Sequence, residues 1–586
     1  MRRNNKANNN VKREIENVLR DVGLEHAEIF VPEKENFGHF TTNVAMRLAS
    51  APKGRDLASG GKDIKKPPLE LAKELAAKIA DVAPKGFFEK VEAAPPGFVN
   101  FWLTKGTLQK EFSKIAGEKD FGKSNVGGKR TVIVEYSQPN IGKMMHVGHL
   151  RTTIIGDALA NIFEYLGYKV VRWNYLGDWG TQFGKLIAAY KLWGDKKEIE
   201  AHPLDELQKL YVRFHEEMAS DALLEARGQE EFKKLERGDK ENRKLWEWFR
   251  KESLKELEKM YATLGVTFDT YIGESFYEKE LAPLVEQLLR SRMAVKSGEA
   301  VIIPLDEAKL PPALIQKSDG ASLYLTRDIA NIRYRLAKYK PAKILYVVGN
   351  EQSFHFEQLF AVAKILKLDS ADLKHVKYGL VRGESGTKLA TREGKTILLK
   401  DVIQKAVELA RNVVVSKKDT NISEAQTEEI AKVVGIGALK YNDLKENRTS
   451  DIVFNWESML SITGDSAPYL QYTYARLKSI LRKAGKFSIF NFQFSKLDKE
   501  VELTFIRKIA EFPDEVARSG EYLATSTLAS YLYKLAVLAN RLYETTPVLK
   551  EQSAERRVAL LALITIAAET LKKGLGLLGI GVLEEI

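Results

Sequence analysis

The chain of 586 residues contains no cysteine. This absence excludes disulfide bonds, thiolate metal sites and cysteine nucleophiles. Long apolar runs are also missing, since the longest, VALLALITIAA at 558–568, is too short to span a bilayer. The N-terminal stretch MRRNNKANNN is basic, but no apolar segment of the kind found in secretory signals follows it. We therefore expect a cytoplasmic protein that does not associate with a membrane.

Acidic residues are fewer than basic ones, with 79 Asp and Glu against 91 Lys and Arg and a formal net charge of +12. A basic excess of this size indicates a polyanionic partner, nucleic acid before membrane, although solubility alone remains an alternative. The length exceeds what one compact core normally holds and predicts two to four domains.

Three regions differ in their hydrophobic patterns. Residues 1–118 mix helical and strand-like segments and predict a small α+β domain. Residues 128–400 alternate apolar strands with helices, which predicts a doubly wound, Rossmann-like parallel sheet that binds ligands at the carboxyl ends of its strands. A stretch at about 190–265, dense in Glu, Lys, Leu and Trp, predicts a helical insertion, and residues 401–586 predict an all-α bundle without strands. The strands predicted in the central region are TVIVEYS, KVVRWNYLG, AVIIPL, ASLYLT, KILYVVG and HVKYGLV.

Two of the eight histidines lie three residues apart in SQPNIGKMMHVGHLR, at 137–151. His146 and His149 would share one face at the start of a helix, where unpaired N–H groups and a partial positive charge favour anions. Gly148 between them would let a flat group such as adenine approach the backbone. The pattern favours a nucleoside triphosphate site, while structural histidines remain an alternative. Zinc is a weaker one, since no third ligand is nearby and cysteine is absent.

The same stretch resembles the signature of the arginyl-tRNA synthetases, within the class I aminoacyl-tRNA synthetases. Further similar segments follow in the family's order: NYLGDWGTQFGKLI, YLTRDIANIRYR, NEQSFHFEQLF and APYLQYTYARLKSILRKA, with NFGHFTTNVAMRLA nearer the N-terminus. The resemblance implies an arginine–tRNA ligase that acts with ATP as substrate, magnesium carried by the ATP and no protein-ligated zinc. Its partners would be L-arginine and arginine tRNA, and we expect a monomer. The N-terminal domain would bind the D-loop of the tRNA, the central domain would be catalytic, and the C-terminal bundle would bind the anticodon.

The amino-acid pocket can be predicted from chemistry as well as from resemblance. A guanidinium has five donors and calls for carboxylates. Glu135 ends the strand TVIVEYS and Asp328 follows ASLYLT, so we expect both to converge on the arginine side chain, with Tyr324 packed on it. The resemblance assigns the α-amino group of arginine to Asn140 and Gln352 and adds Ser137 to the pocket.

The residues that handle ATP depart from the family pattern in one loop. The resemblance assigns ATP to His146, Gly148, His149 and Lys388. In the lysine loop, GTKLATREGKT at 386–396, leucine, alanine and threonine stand at 389, 390 and 391, while Lys388 and Arg392 can still meet phosphates. We expect Lys143, three residues before His146, to supply the missing charge.

Residues for RNA are expected in the tail and near the N-terminus. Basic side chains beside aromatic rings suit an exposed RNA loop, and the candidates in the tail are Tyr472, Arg476, Arg482 and Lys483. In the N-terminal region the candidates are Phe40 and Asn43, although core packing explains Phe40 equally well.

Two other functions remain open at this point. Another class I synthetase, such as the glutaminyl type, would have no use for Glu135 and Asp328 together. A catalytically silent tRNA-binding relative should have lost His146, His149 or these carboxylates, and all four are present.

Overall fold

The N-terminal region forms a small α+β domain, as predicted. The computed structural model describes residues 10–32, 34–50, 66–320, 323–383, 397–416, 423–487 and 494–586. The elements of this domain are α1 (Asn10–Asp21), β1 (Phe40–Thr42), α2 (Val44–Ala49), α3 (Pro68–Val82), β2 (Phe88–Ala94), β3 (Phe98–Leu103) and α4 (Lys105–Gly117). The strands form an antiparallel sheet in the order β1-β3-β2. Helix α3 packs against this sheet through Leu71, Leu75 and Ile79, which recur every four residues and so share one face.

The central region is built around a parallel sheet. Its elements are β4 (Thr131–Glu135), α5 (Val147–Tyr165), β5 (Lys169–Trp173), α6 (Thr181–Trp193), α7 (Lys196–Ala201), α8 (Pro203–Met218), α9 (Ala222–Glu236), α10 (Lys240–Leu264), α11 (Glu278–Arg290), β6 (Val295–Ser297), β7 (Ala300–Ile303), β8 (Ala313–Gln316), α12 (Tyr324–Tyr339), β9 (Lys343–Tyr346), α13 (Ser353–Ile365) and β10 (Asp372–His375). The strand order is β10-β9-β4-β5, and all neighbours are parallel. The order reverses between β4 and β9, which confirms the doubly wound class and puts the ligand crevice at their carboxyl ends.

Two of the predicted strands are not part of this sheet. AVIIPL forms β7, which pairs with β6 and β8 in a separate antiparallel sheet. The prediction for ASLYLT was wrong, because helix α12 begins inside it at Tyr324. The physical reason is that Leu325 is buried at helical spacing with Ile329 and Ile332, so it belongs to the apolar face of α12. Asp328 therefore lies in the second turn of a helix.

The C-terminal region is helical apart from one short strand. Its elements, with the strand that precedes them, are β11 (Val381–Arg382), α14 (Leu399–Ser416), α15 (Glu424–Leu444), β12 (Ile452–Val453), α16 (Trp456–Met459), α17 (Ala467–Ala484), α18 (Glu500–Ala510), α19 (Phe512–Tyr522), α20 (Thr525–Thr545) and α21 (Ala554–Leu577). Strand β12, which pairs with β11, lies after residue 400, where no strand was expected. HVKYGLV likewise splits, since β10 ends at His375 and β11 begins at Val381.

One buried ion pair ties the helical bundle to the central sheet. Nε of Arg151 on α5 lies 2.9 Å from Oδ2 of Asp443 on α15, and both side chains are at most 2% exposed. The guanidinium also donates to the carbonyl oxygens of Arg448 and Ser450. The helix that follows the two histidines is thus held by the bundle. Within the ranges described above, no helix is both long and apolar enough to cross a membrane.

Candidate active site

The crevice lies where β4 and β9 end side by side. Glu135, the last residue of β4, is the ladder partner of Tyr346, the last residue of β9. The chain leaves β4 through the loop that carries Lys143 and the two histidines. It leaves β9 through a short 3₁₀ turn, Asn350–Gln352, that leads into α13. The sequence-predicted residues that are described in the central region are distributed over these two loops, the ends of the helices behind them and the first turns of α12.

The two histidines hold the start of α5 in place. His146 is the N-cap residue, and its Nδ1 accepts the backbone N–H of Gly148 at 3.1 Å. Nδ1 of His149 accepts the backbone N–H of His146, also at 3.1 Å. Since a neutral imidazole carries its proton on the nitrogen that is not accepting, both rings carry it on Nε2. Their centroids are 4.0 Å apart, so two neutral donors lie together at the helix start.

The backbone N–H groups at this helix start already have acceptors in the protein. Val147 donates to the carbonyl of Ile397, and His149 donates to the carbonyl of His146. The expectation that this terminus offers unpaired N–H groups was therefore wrong for these residues, because the chain caps itself. Gly148 is needed for this cap, since a Cβ there would lie 2.8 Å from Cε1 of His146.

Burial keeps His149 neutral. It lowers the pKa of His149 to about 3, and the neighbouring His146 contributes in the same direction. Near neutral pH the His149 ring is therefore a hydrogen-bond donor without a charge.

The helical insertion holds the loop before the histidines. Gly142 donates its N–H to Oγ of Ser253 on α10, and Met144 donates to Oε1 of Gln208 on α8. The ammonium of Lys143, between these two anchors, lies 4.6 Å from the ring centroid of Tyr211 on α8. Cation–π contact of this kind limits the positions that a flexible lysine can adopt.

The lysine loop lies outside the described residues, and with it Lys388, Leu389, Ala390, Thr391 and Arg392. The chain that follows the loop is attached beside the histidines, since Leu399 donates its N–H to the carbonyl of Met145, next to His146.

Glu135 is buried at the base of the crevice and already has two partners. Its side chain is 5% exposed, and its Oε2 forms an ion pair with Arg335, which is fully buried on α12. Its Oε1 accepts from Nε2 of Gln138 at 2.8 Å. The guanidinium of Arg335 lies 4.2 Å from the ring centroid of Trp173. Burial alone would lower the pKa of Arg335, but the Glu135 carboxylate raises it, so the charge of Glu135 is balanced within the protein.

Asp328 is more open and has a different partner. Its side chain is 21% exposed, and its Oδ2 lies 2.7 Å from Nε2 of His355 on α13. Burial alone would lower the pKa of His355, but the hydrogen bond and charge of Asp328 raise it above its ordinary value. Tyr324, one helical turn before Asp328, is 66% exposed, and Gln352 is also exposed. Asp328, Tyr324, Gln352 and His355 come from α12 and the start of α13, and we call this more exposed side of the crevice the open wall.

Ser137 and Asn140 follow Glu135 but occupy different environments. Ser137 is 1% exposed, has a left-handed φ of 74°, and its Oγ lies 2.7 Å from the hydroxyl of Tyr261. It is enclosed between α5 and α10 and does not face the open wall. Asn140 is exposed, and a Cβ at Gly177 would lie 2.2 Å from its Oδ1, so the glycine of GDWG makes room for this side chain.

The two candidates near the N-terminus are largely enclosed. Phe40 is 7% exposed in the core of the N-terminal domain, and it also lines a cavity of about 740 Å³ between that domain and the C-terminal helices. Asn43 precedes α2, and its buried Oδ1 has no hydrogen-bond partner among the described residues.

The candidates on α17 are more accessible. The guanidinium of Arg476 lies between the rings of Tyr472 and Tyr543, 4.9 Å from each centroid. Arg482 is exposed and lies 3.1 Å from a carboxylate oxygen of Glu585, while Lys483 is exposed beside it.

Sequence reasoning missed three residues that contact the candidate site residues, namely Arg335, His355 and Tyr211. A signal existed for Arg335, because Asp328 and Arg335 are seven residues apart and so share one face of a helix. His355 follows Gln352 by three residues at the start of α13, which is a similar signal. Nothing in the sequence relates Tyr211 to Lys143. No group of three or more His, Cys, Asp or Glu side chains suited to a metal ion occurs in the part of the chain that the structure describes.

Comparison with known proteins agrees with the architecture. The family model described as tRNA synthetases class I (R), catalytic domain, matches residues 112–456. A model of the arginyl tRNA synthetase N terminal domain matches 5–103, and a DALR anticodon binding domain model matches 470–586. The chain is 39% identical over 580 residues to the arginine–tRNA ligase of Fusobacterium nucleatum, which covers 98% of each chain. It is 42% identical over 525 residues to that of Enterococcus faecalis, covering 89% of this chain and 91% of the relative.

Solved structures show the same overall similarity. The arginyl-tRNA synthetase of Plasmodium falciparum superimposes with a TM-score of 0.81 at 26% identity, over 98% of both chains. The enzyme of Thermus thermophilus gives the same TM-score at 24% identity, over 98% of this chain and 99% of that one.

Proposed function

The chain belongs to the class I arginyl-tRNA synthetases, and from this premise we propose which of its residues handle arginine, ATP and tRNA. Its reaction is the ATP-dependent ligation of arginine to tRNA. The carboxylate of arginine attacks the α-phosphate of ATP, and arginyl-adenylate and pyrophosphate form. A ribose hydroxyl of the terminal adenosine of the tRNA then attacks the adenylate and releases AMP. No covalent enzyme intermediate is needed, so catalysis consists of positioning and charge stabilisation.

Arginine recognition is divided between two carboxylates of different character. Asp328 supplies the negative charge, because its partner is a histidine on the open wall and not a buried cation. Glu135 supplies geometry: its charge is balanced by Arg335, but an ionised carboxylate accepts about four hydrogen bonds, and two are formed among the described residues. The charges of Asp328, Glu135, Arg335 and the guanidinium of the substrate sum to zero. The open carboxylate of Asp328 is the observation that carries the assignment.

The remaining residues of the arginine site come from the open wall and from the loop after β4. Tyr324, one turn from Asp328, packs on the guanidinium plane. Asn140 and Gln352, exposed at the ends of the two loops, bind the α-amino group. Ser137 supports the site from behind through Tyr261.

ATP is held at the start of α5. His146 and His149 donate from Nε2 to the phosphates, and the backbone at Gly148 lies beside the adenosine. Lys143 approaches the same phosphates from the side of the helical insertion, while Lys388 and Arg392 of the lysine loop act on the departing pyrophosphate. Magnesium enters with ATP as part of the substrate.

The tRNA would be bound by the two outer domains. We assign residues 1–118 with Phe40 and Asn43 to the D-loop, 128–400 to catalysis, and 401–586 with Tyr472, Arg476, Arg482 and Lys483 to the anticodon. We further propose that the protein acts as a monomer in the cytoplasm.

Aminoacylation by Asp328→Asn tests the central assignment. Loss of the charge that meets the guanidinium should reduce kcat/KM for arginine by at least about 10²-fold, equivalent to about 3 kcal/mol for a charge left without its partner. Equilibrium binding of tRNA should stay near the parental value. Asp372→Asn is the matched control, because Asp372 starts β10 at the opposite end of the sheet. Charging at a near-parental rate by Asp328→Asn would refute the assignment.

A further inference from the structure

His355 is the one polar contact recorded for the Asp328 carboxylate within the described residues. The Nε2–Oδ2 distance is 2.7 Å, and the two groups come from different helices, α12 and α13. Because an ionised carboxylate can only accept hydrogen bonds, His355 is the donor. The contact uses Oδ2 and leaves Oδ1 without a hydrogen-bond donor among the described residues.

The carboxylate needs such an external support. The last torsion of an aspartate side chain is broad and has no strong intrinsic preference. Asp328 lies in the second turn of α12 with its side chain 21% exposed, and the hydrogen bond from His355 is the contact among the described residues that orients its plane. Binding a guanidinium with two parallel hydrogen bonds requires the carboxylate plane to be fixed. If the protein does not fix the carboxylate plane, each binding event must fix it and lose the entropy of the immobilised side chain.

His355 is itself held in place. Its side chain is 27% exposed, and its ring lies edge-on against Phe356, with centroids 5.5 Å apart. Phe356 is buried and stacks on His375 at 4.4 Å on the strand β10. Packing of Phe356 against His375 on β10 therefore helps to orient the His355 ring.

We propose that His355 is a positioning residue for arginine recognition, which fixes the plane of the Asp328 carboxylate so that the substrate guanidinium meets a preformed acceptor. This inference rests on the proposed role of Asp328. It assigns to His355 no contact with ATP and no part in the phosphoryl chemistry. Its loss should therefore weaken arginine binding selectively.

The test is the KM for arginine and for ATP, with kcat, in the complete aminoacylation reaction. In His355→Ala, the KM for arginine should rise about 10-fold, the effect of one lost hydrogen bond to a charged group together with a released rotamer. The values of kcat and of the KM for ATP should stay within about 2-fold. In His355→Gln, the amide nitrogen lies near the position of Nε2 and should restore most of the arginine KM. His355→Asn, whose amide is one methylene shorter, should not.

His375→Gln is the matched control. His375 also contacts Phe356, but its Nε2 bonds to the carbonyl of Val348 and not to Asp328. Its arginine KM should equal the parental value, which separates positioning of Asp328 from general disturbance around Phe356. If His355→Ala does not fold, the comparison of the Gln and Asn variants carries the same information.

The outcomes distinguish the proposed role of His355 from the proposed role of Asp328. If Asp328→Asn raises the arginine KM and His355→Ala does not, His355 is not a positioning residue, while the role of Asp328 stands. If neither variant changes it, the proposed role of Asp328 has failed as well. Equal losses in the arginine and ATP constants, without rescue by Gln, would indicate a structural role only and would also overturn the inference.

Discussion

The two halves of the crevice contain similar residues but differ in how far these residues are buried and paired within the protein. In the half that follows β4, Glu135 and Ser137 are buried, and Glu135, Ser137 and the histidines have partners within the protein. In the half formed by α12 and the start of α13, Tyr324 and Gln352 are exposed, and Asp328 has one hydrogen-bond partner in the part of the chain that the structure describes. In the first half, the charge of Glu135 is balanced by Arg335 within the protein. The second half is the one to which we assign recognition of the arginine side chain.

This difference has a physical basis in burial. A charge at the bottom of a crevice must be paired within the protein, since the cost of an unpaired buried ion is several kcal/mol. A charge near the opening is hydrated until a ligand arrives, so it can remain available. We expect substitutions in the first half to affect stability and those in the second half to affect substrate binding.

The largest effect is expected at the ion pair of the first half. Arg335→Met removes the cation beside Glu135, whose side chain is 5% exposed, and should lower the free energy of unfolding by about 3–5 kcal/mol. Adding Glu135→Gln should recover much of this loss, because no charge is then left unpaired. Urea unfolding monitored by fluorescence measures both. Asp328→Asn serves as the comparison from the second half and should change the same quantity by less than about 1 kcal/mol; similar losses in both halves would contradict the division.

The next effect concerns Lys143, which belongs to the first half but is not part of its buried wall. Lys143→Ala should slow adenylate formation by about 10²–10³-fold, since one preorganised charge on the phosphates is lost. The KM for arginine should change little. Introducing Thr391→Lys into this variant should restore part of the rate from the lysine loop. Pre-steady-state adenylate formation in the presence of tRNA is the measurement, and a parental rate in Lys143→Ala would show that the charge comes from elsewhere.

The smallest effect is a difference in the pH dependence of stability. The pKa of His149 is about 3 in the folded chain against an ordinary 6.5, so between these values the unfolded chain binds more protons. The free energy of unfolding should therefore fall on acidification below pH 6.5, by up to about 1.4 kcal/mol per pH unit for this group. His149→Gln should flatten that fall between pH 6.5 and 5.5.

His355 in the second half should behave in the opposite sense. Because its pKa is raised in the folded chain, its contribution to stability is fully present below pH 6.5 and is lost as pH rises through the raised pKa. His355→Gln should remove this contribution. Denaturation curves at several pH values measure both variants, and slopes of the same sign would contradict the contrast between the two halves.

Much of the architecture could be predicted from local patterns. The parallel strands β4, β5 and β9 and the helices α5 and α13 follow from apolar runs and helical spacing. ASLYLT was misassigned because six residues with alternating polarity do not distinguish a strand from the first turn of a helix. His146, His149 and Glu135 could be placed near one another from sequence, since they stand at a helix start or at the end of a strand. Asp328 was placed after a predicted strand that is not there, and it lies in the second turn of α12.

The sequence by itself determined the fold class and the family, because these depend on residue types and on spacings of a few residues. Only the tertiary structure decided which groups of the crevice are already bound within the protein. Glu135 meets Arg335 across 200 residues, and Arg151 meets Asp443 across 292. Partners that far apart along the chain are chosen by how helices pack on the sheet. Whether a carboxylate is balanced or open depends on its depth in that packing, which the spacing of residues along the chain does not specify.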